Sequence, residues 1–346
     1  MRTSAETAAD IFARGCVIPA HPLALTASLK LDERRQLALS RYYIAAGAGG
    51  LALGVHTTQF AIHDNGMLKP VLELGAQAAA EAGRSIALIA GVQGSVTEAI
   101  AEAELAATLG YHMVLLRPAP LAEDALIERA KAVGEVLPMI GFYLQPAVGG
   151  MALSRDFWAR FAAIESVAGI KVAPFDRYRT LDVVNGVARS GRAEEVALYT
   201  GNDNHILADL ITTYQVPVEG RLVDVRFVGG LLGQWAVWTK RAVELSADAA
   251  QVRSGDNTAL RRLLTLDAQL TDANGALFDV GHNFRGSVPG IHEILRRQGL
   301  LDGVWCLDPN EVLAPGQIAE IDRVLAAYPW LTDDAFVAEN RDRWLR

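Results

Sequence analysis

Cysteine is nearly absent: Cys16 and Cys306 are the only two in 346 residues. That excludes a disulfide framework, and two thiols cannot build a tetrahedral zinc site without His or carboxylate help. Both are expected to be reduced, and no metal site is expected. Lysine is scarce too, with five, at positions 30, 69, 131, 171 and 240. The formal charge of -8 comes with no Lys/Arg run able to neutralise a series of phosphates, so no nucleic-acid partner is expected. Nor does any stretch approach the roughly 20 uninterrupted apolar residues needed to span a bilayer, so no membrane partner is expected either. The opening MRTSAETAADIFARG carries acidic residues and no central apolar run, unlike a secretory signal or transit peptide, and a cytoplasmic location is expected. Low-complexity tracts are missing as well. With 51% hydrophobic and 21% charged residues, the chain can bury enough apolar surface to offset its ordering entropy.

What is there is an alternation. Eight short apolar runs of strand length, at 16–20, 50–54, 86–91, 113–117, 137–143, 167–172, 196–201 and 221–228, are separated by stretches of helical periodicity. That is the pattern of parallel βαβ units. The helices carry their own punctuation, as where Ser95 and Glu98 stand in capping-box spacing and Gly110 ends the run. Eight repeats fit a closed (β/α)8 TIM barrel better than an open doubly wound sheet. After Val228 the pattern turns purely helical, including Trp235 and Trp238 three apart on one expected helix. The expected organisation is a barrel over 1–228 and C-terminal helices over 229–346 packed on it as one structural unit.

Reactive groups of such a barrel project from the C-terminal strand ends. Lys171 closes the apolar run VAGIKV of the sixth strand, whereas the other four lysines lie in polar or helical surroundings. An amine beneath apolar walls loses its proton more readily and becomes a nucleophile towards carbonyls; the alternative is a structural lysine paired with a barrel carboxylate. Tyr143 ends the fifth strand, next to the sixth, and is either a proton shuttle or an amphipathic aromatic at the edge of the core. After strand two, GVHTTQF offers His56, Thr57 and Thr58 as carboxylate binders. Asn202 and Asp203, after strand seven, form either a substrate loop or a helix cap. GAGG at 47–50 follows a helix and enters a strand, the reverse of a nucleotide loop, and reads as a helix stop. His282 and His292 lack metal-ligand spacing and read as surface or packing residues.

In order along the chain, IPAHPL, GVHTTQF, AGVQGSVTEAIAEAELAATLG, FYLQP and GIKVAP resemble the dihydrodipicolinate synthase and N-acetylneuraminate lyase family. The most specific pieces are Tyr143-x-x-Pro146 and Gly169-Ile170-Lys171. The resemblance implies a class I aldolase-type lyase without a dissociable cofactor, acting on a 2-oxo acid such as pyruvate, and a homo-oligomer, dimer or tetramer. It makes Lys171 the Schiff-base lysine, Tyr143 the proton shuttle and the strand-two region the binder of the substrate carboxylate. Matched without a gap, the family's Gly-Thr-Thr-Gly-Glu motif puts Val55 and His56 at the threonine positions; a shift puts Thr57 and Thr58 there. The Arg expected after Tyr-x-x-Pro in synthases of the lysine pathway is replaced by Ala147 to Gly150, and the aromatic pair expected after strand four by Pro118 to Asp124. Arg117, at the end of that strand, is then a candidate anion binder or a rim salt bridge.

Overall fold

The computed structural model describes residues 6–346. The first five, part of the stretch read as neither signal nor transit peptide, lie outside the described residues. Strands β1 (Val17–Pro19), β2 (Gly50–Leu53), β3 (Ala87–Val92), β4 (Met113–Leu116), β5 (Met139–Leu144), β6 (Val167–Ala173) and β7 (Ala197–Thr200) alternate with helices. Helix α1 (Ala8–Arg14) precedes β1. Between the strands run α2 (Glu33–Ala46), α3 (Leu68–Glu81), α4 (Val96–Thr108), α5 (Glu123–Gly134), α6 (Arg155–Ala162) and α7 (Arg177–Arg189). Helix α8 (Ile206–Ile211) then leads into β8 (Thr213–Val218) and the long β9 (Arg221–Leu232). The C-terminal part holds α9 (Thr239–Arg253), α10 (Leu260–Leu277), α11 (Ser287–Arg297), α12 (Gln317–Ala327) and α13 (Asp334–Trp344). No helix among the described residues is long and apolar enough to cross a membrane.

Eight parallel strands run in the order β1-β9-β7-β6-β5-β4-β3-β2, and a parallel bridge between Ala20 and Ala52 brings the ends together. The result is a nearly closed TIM barrel, the architecture expected from the alternation. Side chains alternate across the wall, as the twofold period of a strand requires. Ile18, Ala52, Ile89, Leu115, Ile140 and Phe142 fill the interior, while Leu53, Leu88, Val114, Tyr143 and Val172 pack outward under the helices. Helix α1 covers the N-terminal end of the ring. Its Phe12 stacks on Tyr199 at 4.6 Å, and the Tyr199 hydroxyl donates to the Phe12 carbonyl at 2.6 Å.

The eighth barrel strand differs from the sequence reading. Arg221 to Arg226 pair antiparallel with β8 as a hairpin beside the barrel, through a two-residue turn with both Glu219 (φ 49°) and Gly220 (φ 80°) left-handed. The barrel portion runs from Phe227 to Leu232, so the strand passes through Gly229 and Gly230 instead of ending at Val228. These glycines permit close approach and do not stop the strand: a Cβ on Gly229 would stand 2.4 Å from the Cys16 carbonyl oxygen, and one on Gly230 2.5 Å from the Trp235 ring. For the same reason the purely helical pattern begins later than expected. Trp235 sits on a short 3-10 turn and Trp238, left-handed at φ 54°, precedes α9. Both are buried, but not on one helix.

Elsewhere the punctuation read from sequence is present. Ser95 and Glu98 form a capping box, Ser154 Oγ accepts from Phe157 N at 3.0 Å, and Gly47 ends α2 with φ 106°. Trp344 docks on the body, 5.4 Å from Tyr42.

Candidate active site

At the C-terminal ends of the strands a cavity of about 60 Å³ reaches down to Lys171. The lysine belongs to β6, where it faces Phe142 of β5 across the sheet, and only 6% of its surface is exposed. Its Nζ lies 4.4 Å from the centre of the Phe142 ring. Little water reaches the amine, so its charged form is disfavoured, and its pKa falls from 10.5 to about 8, opposed in part by the Asp203 carboxylate. Asp203, buried after β7, lines the same cavity. Burial raises its pKa to about 7, against the pull of the Gln234 N–H at 3.2 Å and the charge of Lys171. A buried amine and a buried carboxyl, each displaced towards neutrality, therefore share one cavity.

His56 and Thr57 form the rim from the β2 side. Burial, followed by the charges of Lys171 and Arg117, lowers the His56 pKa to about 4 and keeps the ring neutral. The threonine hydroxyls are committed elsewhere. Thr57 Oγ1 donates to the Ala20 carbonyl at 2.7 Å, and Thr58 Oγ1 donates to the His21 carbonyl at 2.7 Å while accepting from Val55 N at 3.2 Å. Their protons tie the β2 loop to the end of β1 and do not point to a ligand. Val55 and His56 directly follow Gly54, itself left-handed at φ 74°, and Val55 is buried in the barrel interior.

Tyr143 does not face the lysine, which corrects the expected proton shuttle. Its partner across the sheet is Val172, one residue on from Lys171, and alternation turns it to the outer side of the wall. There it packs 5.1 Å from the Trp158 ring, and its hydroxyl accepts from Leu153 N at 3.4 Å. Asn202 also lies outside the cavity lining. It is fully buried, its Oδ1 accepts from Phe175 N at 3.1 Å and its Nδ2 donates to Asp209 at 3.1 Å. Arg117 lies outside the cavity lining. Its guanidinium sits 3.8 Å over the Phe60 ring and donates to Gln93 Oε1 at 2.7 Å. Sequence reasoning singled out Lys171 for its place in an apolar run, but it missed Asp203 as the lysine's partner and the contribution of the C-terminal helices. Phe278 and Phe284 line the cavity from the loop between α10 and α11, and Ser287, Val288 and Ile291 from α11. The apolar face of α11 was the available signal.

The model of the Dihydrodipicolinate synthetase family matches residues 16–214, more than half of the chain. The chain belongs to that family. Among solved structures it resembles the dihydrodipicolinate synthase of Oceanobacillus iheyensis, at 18% identity over 93% of this chain and 98% of that one, TM-score 0.71. Similar values relate it to the N-acetylneuraminate lyase of Fusobacterium nucleatum complexed with pyruvate, at 18% identity over 93% and 99%, TM-score 0.71. A dihydrodipicolinate synthase from Acinetobacter baumannii, also complexed with pyruvate, is 20% identical over 90% and 98%, TM-score 0.72. At these identities the structures speak for a shared fold. No curated protein sequence matches the chain. Within this family the site described above has a phenylalanine where the sequence motif led one to expect a tyrosine facing the lysine.

Proposed function

We propose that the protein is a class I aldolase-type lyase that binds a 2-oxo acid as a Schiff base on Lys171. The observation that carries the reading is the buried amine at the open end of the barrel, held partly neutral near pH 7 in a small cavity. Neutral Nζ adds to the C2 carbonyl carbon of the 2-oxo acid, forming the C–N bond as the C–O π bond breaks, and one proton passes from the nitrogen to the oxygen to give a neutral carbinolamine. Protonation of that hydroxyl releases water and leaves a protonated imine, an electron sink for breaking the C3–C4 bond of a 4-hydroxy-2-oxo acid, whose 4-hydroxyl gives up its proton as C4 leaves in an aldehyde, or for removing a C3 proton. The resulting enamine is protonated at C3, and hydrolysis returns the amine. Asp203, with its raised pKa beside the lysine, is the group suited to hand over and recover these protons; Tyr143, behind the wall, is not. The substrate carboxylate is placed at the rim formed by His56 and Thr57, without the threonine hydroxyls, which are donated to the Ala20 and His21 carbonyls.

The test is borohydride reduction in the presence of pyruvate, followed by mass spectrometry. A stable adduct on the peptide carrying Lys171, absent in Lys171→Met, supports the reading; no adduct across a panel of 2-oxo acids removes it. A second reading, a non-catalytic ligand-binding or regulatory homologue, is favoured by Phe142 standing opposite the lysine without a hydroxyl. Turnover that depends on Lys171 and Asp203 decides against it. Assembly as a dimer or tetramer and residence in the cytoplasm belong to the same proposal, and sedimentation of the purified protein checks the first.

A further inference from the structure

Two aromatic residues stand at the cavity mouth in a backbone conformation that bulky side chains avoid. Phe175, after β6, has φ 54°, and Phe284, between α10 and α11, has φ 66°. Their rings contact each other with centroids 5.6 Å apart, and both line the cavity. Each left-handed residue is held by hydrogen bonds. Asn202 Oδ1 accepts from Phe175 N at 3.1 Å and Asn204 donates to its carbonyl at 3.3 Å. Phe284 N donates to the Asp279 carbonyl at 3.1 Å, within a loop where Asp279 and Asn283 are also left-handed. Strain maintained on two separate segments, to bring two rings together over one cavity, is characteristic of a functional site.

The walls below the pair are apolar as well. Leu144, Val148, Phe278, Val288 and Ile291 surround the space beyond the amine. Lys171 is the only Lys or Arg among the described residues lining it, so a second carboxylate entering there meets no counter-charge. In the outer cleft beyond, Arg285 shares the walls with Asp308 and Glu311, a net negative set. Burying an unpaired carboxylate against these walls is costly, whereas burying methylenes is favourable.

We infer that the substrate is a 2-oxo acid whose carbon chain, apart from a hydroxyl at the reacting C4, is alkyl or aryl, enclosed by the Phe175–Phe284 pair and the C-terminal helices, and not a dicarboxylate. The inference rests on the Lys171 imine proposed above. It is tested by trapping pyruvate, 2-oxobutanoate, 2-oxopentanoate and 2-oxoglutarate with borohydride on the full-length protein, reading the half-saturating concentration from the mass of the Lys171 adduct. That concentration is expected to fall about fourfold for each added methylene. 2-Oxoglutarate, which is 2-oxopentanoate with a terminal carboxylate, is expected to require at least about tenfold more than its uncharged-chain counterpart. Phe284→Asn, whose side chain tolerates the left-handed backbone, is expected to flatten the chain-length series, and Phe175→Asn serves where the first variant fails to melt cooperatively. Equal trapping of 2-oxoglutarate and 2-oxopentanoate, a flat series in the unmodified protein, or an unchanged slope in both variants overturns the inference. An adduct with pyruvate alongside a flat series leaves the imine standing and removes only this specificity. No adduct with any of the four removes both.

Discussion

Capture of pyruvate by Lys171 is expected to accelerate about ninefold from pH 6 to 7 and about fivefold from pH 7 to 8, and then to level off. Only the neutral amine attacks, and burial has brought its pKa from 10.5 to about 8. At pH 7 about 9% of the amine is then neutral, against about 0.03% for an ordinary lysine, a gain of roughly 300-fold in nucleophile. The Asp203 carboxylate works against that gain by favouring the ammonium. Asp203→Asn therefore moves the inflection to lower pH, yet slows the loss of water if Asp203 supplies the proton. The assay is the initial rate of cyanoborohydride-trapped adduct at low pyruvate, followed by mass spectrometry from pH 5.5 to 10. A rate that climbs without inflection through pH 9.5 refutes the reasoning, because it means the amine keeps an ordinary pKa and the cavity does not desolvate it.

The same burial makes the lysine a burden on stability. Between its folded pKa near 8 and its unfolded value near 10.5 the unfolded chain holds the extra proton, so stability rises with pH through that window. Lys171→Met is expected to abolish trapping, to flatten that rise and to add up to about 3 kcal/mol at pH 7, seen by thermal and urea unfolding. Tyr143→Phe removes only a long hydrogen bond on the outer face; a cost of about 1 kcal/mol or less is expected, with trapping within about twofold, and a hundredfold loss of trapping would place the phenol in the chemistry after all. Phe12→Ala takes away the ring stacked on Tyr199 beneath the barrel, an expected loss of about 3–5 kcal/mol by urea unfolding without a shift in the pH of half-maximal trapping. Gly201→Ala brings a Cβ to 3.0 Å from Lys171 Cε and 2.7 Å from Ala173 Cβ, and is expected to slow trapping more than it lowers the melting temperature.

The alternation of short apolar runs and amphipathic helices was enough to read the barrel, because parallel strands buried on both faces must be uniformly apolar and need helical crossovers between them. Lys171 was legible for the same reason: one amine in an apolar run is conspicuous. Which neighbours meet it was not. Tyr143 and Phe142 are adjacent in sequence, and a shift in pairing between Met139 and Ile140 settles which of them shares a face with Lys171. Such an irregularity leaves no mark in composition or spacing, although a one-residue slip moves a side chain to the opposite face. The sequence likewise placed Asp203, Asn202, Thr57 and Thr58 in polar loops at the right end of the barrel, but polar residues look alike until hydrogen bonds are assigned. Only the tertiary structure commits the threonines and Asn202 to backbone and carboxylate partners and leaves Asp203 beside the amine. The Phe175–Phe284 contact joins segments more than a hundred residues apart. The chain alone determined where the first seven strands and their crossover helices form, because those depend on local periodicity; the course of the last strand and what faces the cavity depend on register and long-range packing, which no local pattern encodes.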